Sequence, residues 1–278
     1  MDALETWSAQ LAGWAIPEHI LAAAPESPWV LPHAVFVRRA DRHLRTPSGA
    51  TYEQLTKALS PGGTVLDVGA AAGAASLPAG ELISHITAVD TNEALLGEFA
   101  ERAGAIPHRL VQGRWPDVTE QVEPVDVVVC AHVLYNVADL APFAEALTSR
   151  ARRRVIVEIS EIHPLTSLNP LWSRFHGITR PAGPTADDAV AALRELGLDV
   201  QVTRWSKAAA PEYRRFDELV DVTRRRLCLP LAAEGEVAEA LREMGVDSRT
   251  PPDLGSSGRN VVTLGWAGVH PFEHSSQR

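Results

Sequence analysis

Between residues 62 and 160, apolar positions fall into short β-branched runs separated by stretches with helical spacing. Thr64–Gly69, Ile86–Asp90, His108–Gly113, Val125–Ala131 and Arg154–Ser160 read as strands, four of them nearly continuous in Val, Ile and other apolar residues. Unbroken apolar runs suit strands covered on both faces of a parallel sheet. In the intervening stretches, Thr91 or Asn92 can cap a helix that lines up Leu95, Leu96 and Phe99 and stops at Gly104. Asp139 precedes Leu140, Phe143, Ala144 and Leu147, again one helical face. Further on, Thr185-Ala-Asp-Asp188 has the form of a capping box ahead of Val190, Leu193 and Leu196, with Gly197 closing the helix. Two more strands, Asp199–Trp205 and Val261–Ala267, bring the expected number to seven. Repeated strand–helix units with right-handed crossovers predict an α/β fold with a doubly wound, mostly parallel sheet.

Three segments stand outside that alternation. Residues 1–60 carry scattered prolines together with Trp7, Trp14 and Trp29. The segment 162–184 is rich in proline and aromatics and directly follows the fifth strand. The segment 207–258 is charged and helical, with helices expected over Phe216–Leu227 and Glu234–Met244. The expected organisation is an N-terminal helical cap over 1–60 and a main domain over 61–278, with cap insertions at 162–184 and 207–258. Residues 273–278 are expected to fray.

Composition narrows the function classes. The chain of 278 residues has 35 acidic and 26 basic side chains, a net charge of −9. A dedicated nucleic-acid binder or a protein held on an anionic membrane is therefore not expected. No apolar run is long enough for a membrane span, and the acidic start, Met1-Asp2-Ala3-Leu4-Glu5, does not read as a signal peptide. Two cysteines, Cys130 and Cys228, suit a reducing compartment, so a cytoplasmic location is expected.

The chemistry concentrates in Val65-Leu-Asp-Val-Gly-Ala-Ala-Ala-Gly73, where the first strand turns into a helix. Gly69 and Gly73 permit positive φ and a close backbone approach to a ligand. Asp90, twenty-one residues beyond Gly69, ends the second strand, where a carboxylate can accept both hydroxyls of a ribose. A dinucleotide site is the competing reading of such a turn. Asp67, just ahead of the glycines, would repel a pyrophosphate but can pair with an amino group.

These residues resemble the class I S-adenosylmethionine-dependent methyltransferases of small-molecule type, over roughly residues 60–206 and 261–267. Asp67, Gly69 and Gly73 match the first motif of that superfamily, and Ala71 occupies its middle glycine slot, a slightly tighter turn. The resemblance implies a Rossmann-like methyltransferase fold with the last strand antiparallel and a helical cap. It also implies S-adenosylmethionine as cofactor, held by Asp67, Gly69, Ala70, Ala71, Gly73, Asp90, Thr91, Arg114, Trp115, Cys130 and Ala131. The family's acidic adenine contact has no counterpart in Gly113-Arg114-Trp115, so backbone and stacking on Trp115 are expected there. Ala131-His-Val-Leu-Tyr-Asn-Val137 lacks the Asn/Asp-Pro-Pro-Tyr signature of enzymes that methylate nucleobase amino groups.

The implied activity is methyl transfer to a small-molecule acceptor. The alternatives are a protein or RNA acceptor, or a binding subunit without turnover. A hydroxyl acceptor calls for a base, and His132 and His163 follow the fourth and fifth strands at the ligand-binding edge. His176 is a weaker candidate, and Tyr135, Trp172 and Phe175 are possible pocket walls. The arginines at 150 and 152–154 read as a solvated turn, and Arg224-Arg225-Arg226 as a salt-bridged helix face. No metal site is expected, and the oligomeric state is open.

Overall fold

The computed structural model describes residues 2–208 and 210–269; the expected fraying of 273–278 lies outside them. Seven strands form one sheet: β1 (Gly63–Val68), β2 (Ile83–Asp90), β3 (His108–Gln112), β4 (Val125–Ala131), β5 (Ala151–Ser160), β6 (Gln201–Ser206) and β7 (Asn260–Ala267). Their order is β3-β2-β1-β4-β5-β7-β6, with the first five parallel and β7 antiparallel to both its neighbours. The doubly wound sheet and reversed last strand are as expected. The order reverses between β1 and β4, which opens a crevice at their C-terminal tips.

Among the described residues there are ten α-helices: α1 (Ala3–Ala12), α2 (Glu18–Ala23), α3 (His33–Arg45), α4 (Ala50–Leu59), α5 (Glu93–Ala103), α6 (Leu140–Arg150), α7 (Asn169–His176), α8 (Ala186–Glu195), α9 (Phe216–Arg226) and α10 (Glu234–Glu243). The readable caps are in place. The Asn92 side chain accepts from the Leu95 amide, Gly104 ends α5 at φ +55°, and Thr185 and Asp188 form the capping box of α8. Alternation along the strands covers both faces. Val65, Val127, Val129 and Ile156 pack toward α4 and α5, whereas Leu66, Val68, Val128 and Val157 pack toward α1, α6 and α8.

A third apolar cluster is separate from both. It draws Ile20 and Val35 from the N-terminal segment, Leu171 and Trp172 from α7, and Leu219 and Leu241 from α9 and α10. All three segments outside the strand–helix alternation thus contribute to one layer. Within residues 1–60, however, α1 packs on α6 and α8, and α4 packs on the sheet.

Candidate functional site

The turn after β1 is built by its own backbone. Gly69 (φ +72°), Ala71 (φ +45°) and Gly73 (φ +86°) all lie in the left-handed region. Ala71 holds the conformation that a middle glycine would adopt freely, at a cost of about 1–2 kcal/mol. The Gly69 and Ala70 amides both donate to the Val89 carbonyl (2.8 and 3.1 Å), which ties the turn to β2. The glycines are required first by the protein itself. A Cβ on Gly69 would lie 2.4 Å from Val133 Cγ2, and one on Gly73 would lie 2.3 Å from Leu77 Cδ1.

Two carboxylates flank the turn differently. Asp90, half-buried at the β2 tip, accepts the Ala71 amide on Oδ2 (2.8 Å) and the Asn92 amide on Oδ1 (2.9 Å). Asp67 is 1% exposed. Its Oδ2 accepts the Ser76 hydroxyl at 2.5 Å, and its Oδ1 has no partner among the described residues. Burial pushes its pKa up to about 7, against the opposing pull of the Ser76 bond. Of the other expected cofactor contacts, Thr91 and Arg114 are exposed, Ala131 is half-buried, and Ala70 and Cys130 are buried. Burial raises the Cys130 thiol, whose side chain belongs to the core. Trp115 is 6% exposed, more buried than an open stacking platform, and its indole Nε1 is buried without a partner.

A cavity of about 620 Å³ lies beside the turn, walled by Trp14, Phe36, Tyr135 and Leu165 and reached by both His132 and His163. The turn residues 67–73 and Asp90 do not line it. The link is the chain after β4, where His132 faces the cavity while the next residue, Val133, covers Gly69.

The two histidines differ in kind. His132 stands at the β4 tip with φ +59°, fixed by its amide donating to the Glu158 carbonyl (2.8 Å). Its Nε2 lies 2.9 Å from Glu158 Oε1 and 2.8 Å from Lys207 Nζ, and Lys207 Nζ lies 3.0 Å from the same carboxylate oxygen. Glu158 Oε2 accepts the Thr51 hydroxyl at 2.6 Å, and Thr51 meets Thr263 at 2.8 Å. Burial would raise Glu158, but Lys207 and His132 hold it well below the usual carboxylate range. Burial and the Lys207 cation lower His132 despite its bond to Glu158, so the ring is neutral near pH 7. Nε2 either donates to Glu158, which leaves the Nδ1 lone pair free, or accepts from Lys207, which puts the proton on Nδ1.

His163 stacks on Trp14 at 4.0 Å and meets the edge of Tyr135 at 4.8 Å. Its Nδ1 accepts the Leu165 amide at 3.3 Å, and burial, with Arg180 and Arg226, lowers its pKa to about 4. The expected base at 163 is therefore a neutral ring whose proton sits on Nε2, a donor toward the cavity.

His176 and Trp172 do not line the cavity. His176 Nε2 contacts the Leu227 carbonyl at 2.6 Å, and Trp172 lies beneath Arg180 in the cap core. Of the arginine run on α9, Arg224 and Arg225 are paired with Asp221, in line with a salt-bridged face, and also with Glu26 of the N-terminal segment, but Arg226 faces the cavity. Sequence reading did not single out Glu158, Lys207 or Arg39. Only Glu158 carries a local signal, as a lone acid inside the apolar run Val155–Ile159. Among the described residues, no three His, Cys, Asp or Glu side chains are grouped to hold a metal ion, and no helix is long and apolar enough to cross a membrane.

The sequence model of a family described as a methyltransferase domain matches residues 65–154. No curated protein sequence matches the chain. Among solved structures, a cyclopropane-fatty-acyl-phospholipid synthase-like protein from Lactobacillus casei ATCC 334 is 15% identical, with a TM-score of 0.52 over 90% of this chain and 98% of that one. Magnesium protoporphyrin IX methyltransferase from Synechocystis PCC 6803, solved with bound SAH, is 16% identical, with a TM-score of 0.48 over 84% of each chain. At such identities the likeness is one of fold. The matched segment runs from β1 into β5 and so contains the Gly-rich turn, Asp90 and the β4 tip. Residues 65–154 are accordingly similar to a methyltransferase domain, carried on a fold shared with the synthase-like protein.

Proposed function

We propose that the enzyme transfers a methyl group to a small, partly apolar acceptor seated in the 620 Å³ cavity, with His132 as the general base. The observation that carries this reading is the continuity at the β4 tip, where consecutive residues serve the cavity and the Gly-rich turn.

The residues around the turn fit the cofactor. Asp67 Oδ1 and Trp115 Nε1 are a buried acceptor and a buried donor without partners, and each suits a polar group brought by a ligand. Asp67 would hold the ammonium group and Asp90 the ribose hydroxyls, since each Asp90 oxygen has an acceptor position left after its amide bond. Arg114, Thr91 and the tip residues Cys130 and Ala131 would border the nucleoside. S-adenosylmethionine, when bound, supplies an activated methyl group, so the protein's work is alignment and exclusion of water. His132 accepts the acceptor's proton at Nδ1, while Glu158 steadies the ring through Nε2. Tyr135 donates to the Ser160 carbonyl (2.9 Å) and is fixed as wall. The two buried free thiols and the net charge support a cytoplasmic enzyme that acts on neither nucleic acid nor membrane.

Calorimetry tests the cofactor site. S-adenosylhomocysteine should bind and NADH should not, and Asp90→Ala should weaken binding by about 1.5–3 kcal/mol, as for hydrogen bonds to a charged group. NADH binding in place of S-adenosylhomocysteine overturns the reading. Incubation of methyl-labelled cofactor and enzyme with cell extract tests the acceptor. Label should enter the small-molecule fraction, and label confined to protein or RNA overturns that part.

A further inference from the structure

Arg226 differs from every other arginine of its helix run. Its Nη1 donates to the Gly255 carbonyl, its Nε is buried without a partner, and no carboxylate lies within salt-bridge distance of it among the described residues; Asp253, which pairs with Arg39, acts on it only from farther away. The cavity's other arginine, Arg39, is neutralised by Glu212 and Asp253 and donates to Ser256 Oγ at 2.7 Å. No Asp or Glu side chain lines the cavity among the described residues, although acids outnumber bases in the chain as a whole. The remaining polar wall is uncharged, with His132, His163, Asn136 and three serines, and apolar side chains such as Leu11, Trp14, Trp29, Leu31 and Phe36 form the rest.

A guanidinium on a cavity wall with no carboxylate in contact with it is completed by an anion that docks there. Its planar fork matches a carboxylate. Resting on the acceptor-pocket reading above, we propose that Arg226 is a specificity-determining residue: the acceptor is an aromatic or apolar carboxylic acid whose carboxylate docks on Arg226 while its methylated atom faces His132. The volume accommodates such a molecule with one anionic end. The carboxylate is the anchor and takes no part in the transfer. Arg226 is a neighbour of His163, which presents Nε2–H, so a second donor is at hand for the same group.

Matched acid and amide probes test this on the full chain loaded with S-adenosylhomocysteine. Indole-3-acetate and 1-naphthoate should each bind at least roughly tenfold more tightly than indole-3-acetamide and 1-naphthamide, the factor expected of one charge-assisted contact. Arg226→Gln should abolish the preference, bringing acid binding down to that of the matched amide; Arg226→Lys should restore part of it. Melting curves establish that both variants fold. Equal binding of acid and amide by the parent, failure of both acids to bind at millimolar concentration, or a preference that survives Arg226→Gln overturns the proposal. Binding of S-adenosylhomocysteine is read separately. Its absence together with an Arg226-dependent acid preference would sink the cofactor reading and leave the anion site standing.

Discussion

Asp67 sits with one oxygen satisfied and one bare, at a pKa near 7 set by burial. A cation placed on Oδ1 would favour the ionised form, so binding of S-adenosylhomocysteine near pH 7 should release a fraction of a proton. Calorimetry in two buffers of different ionisation enthalpy should give different apparent enthalpies, and Asp67→Asn should remove the difference; identical enthalpies in the parent would place the ammonium elsewhere. His132 makes the second residue-scale case. In the proposed mechanism its neutral form is the base, so turnover should fall as pH drops through its lowered pKa. Lys207→Met removes a nearby cation, raises that pKa and should move the acid limb of kcat to higher pH. His132→Gln should cost at least about tenfold in kcat with S-adenosylhomocysteine affinity nearly intact. Unchanged turnover would mean that alignment alone suffices.

The turn between β1 and the following helical segment is an element whose geometry Gly69 and Val133 share. Gly69→Ala meets two penalties, a left-handed φ of about 1–2 kcal/mol and overpacking of about 1–3 kcal/mol against Val133. Adding Val133→Ala should recover the second and not the first, a separation that urea denaturation of the single and double variants would measure. Full recovery would mean that the backbone tolerates φ +72° without strain.

Across the whole molecule, several buried groups bind protons differently in the folded and unfolded states, and their signs conflict. His163 has a folded pKa of about 4 against an ordinary 6.5, so its contribution is complete above 6.5 and is lost as pH falls toward 4. Asp67, raised to about 7, works oppositely: its contribution is complete below its ordinary 3.8 and is lost as pH rises through about 7. His163→Phe keeps a ring on Trp14 and should lessen the loss of stability between pH 6.5 and 4 relative to the parent; Asp67→Asn should deepen it. Chemical denaturation at a series of pH values checks both, and parallel curves for parent and His163→Phe would show that His163 does not couple folding to pH in this window.

The sheet was legible because it is built from local signals. Continuous apolar strands, the Asn92 and Thr185 caps and the Gly104 and Gly197 stops each act within a few residues, and burial on both faces leaves little choice of fold. The Gly-rich turn and Asp90 were legible for the same reason, since a left-handed turn at a strand tip demands particular residues at fixed spacing. What surrounds the cavity was not. Glu158 meets Lys207 from β5 and the segment after β6, Trp14 meets His163 across separate segments, and Arg226 reaches the cavity while its two neighbours on α9 find carboxylates. The sequence by itself determined the α/β core and the turn that marks its ligand edge. Which histidine meets an acid and a lysine together, and which arginine has no carboxylate in contact, depends on side chains far apart in the chain, and only the tertiary structure decided it.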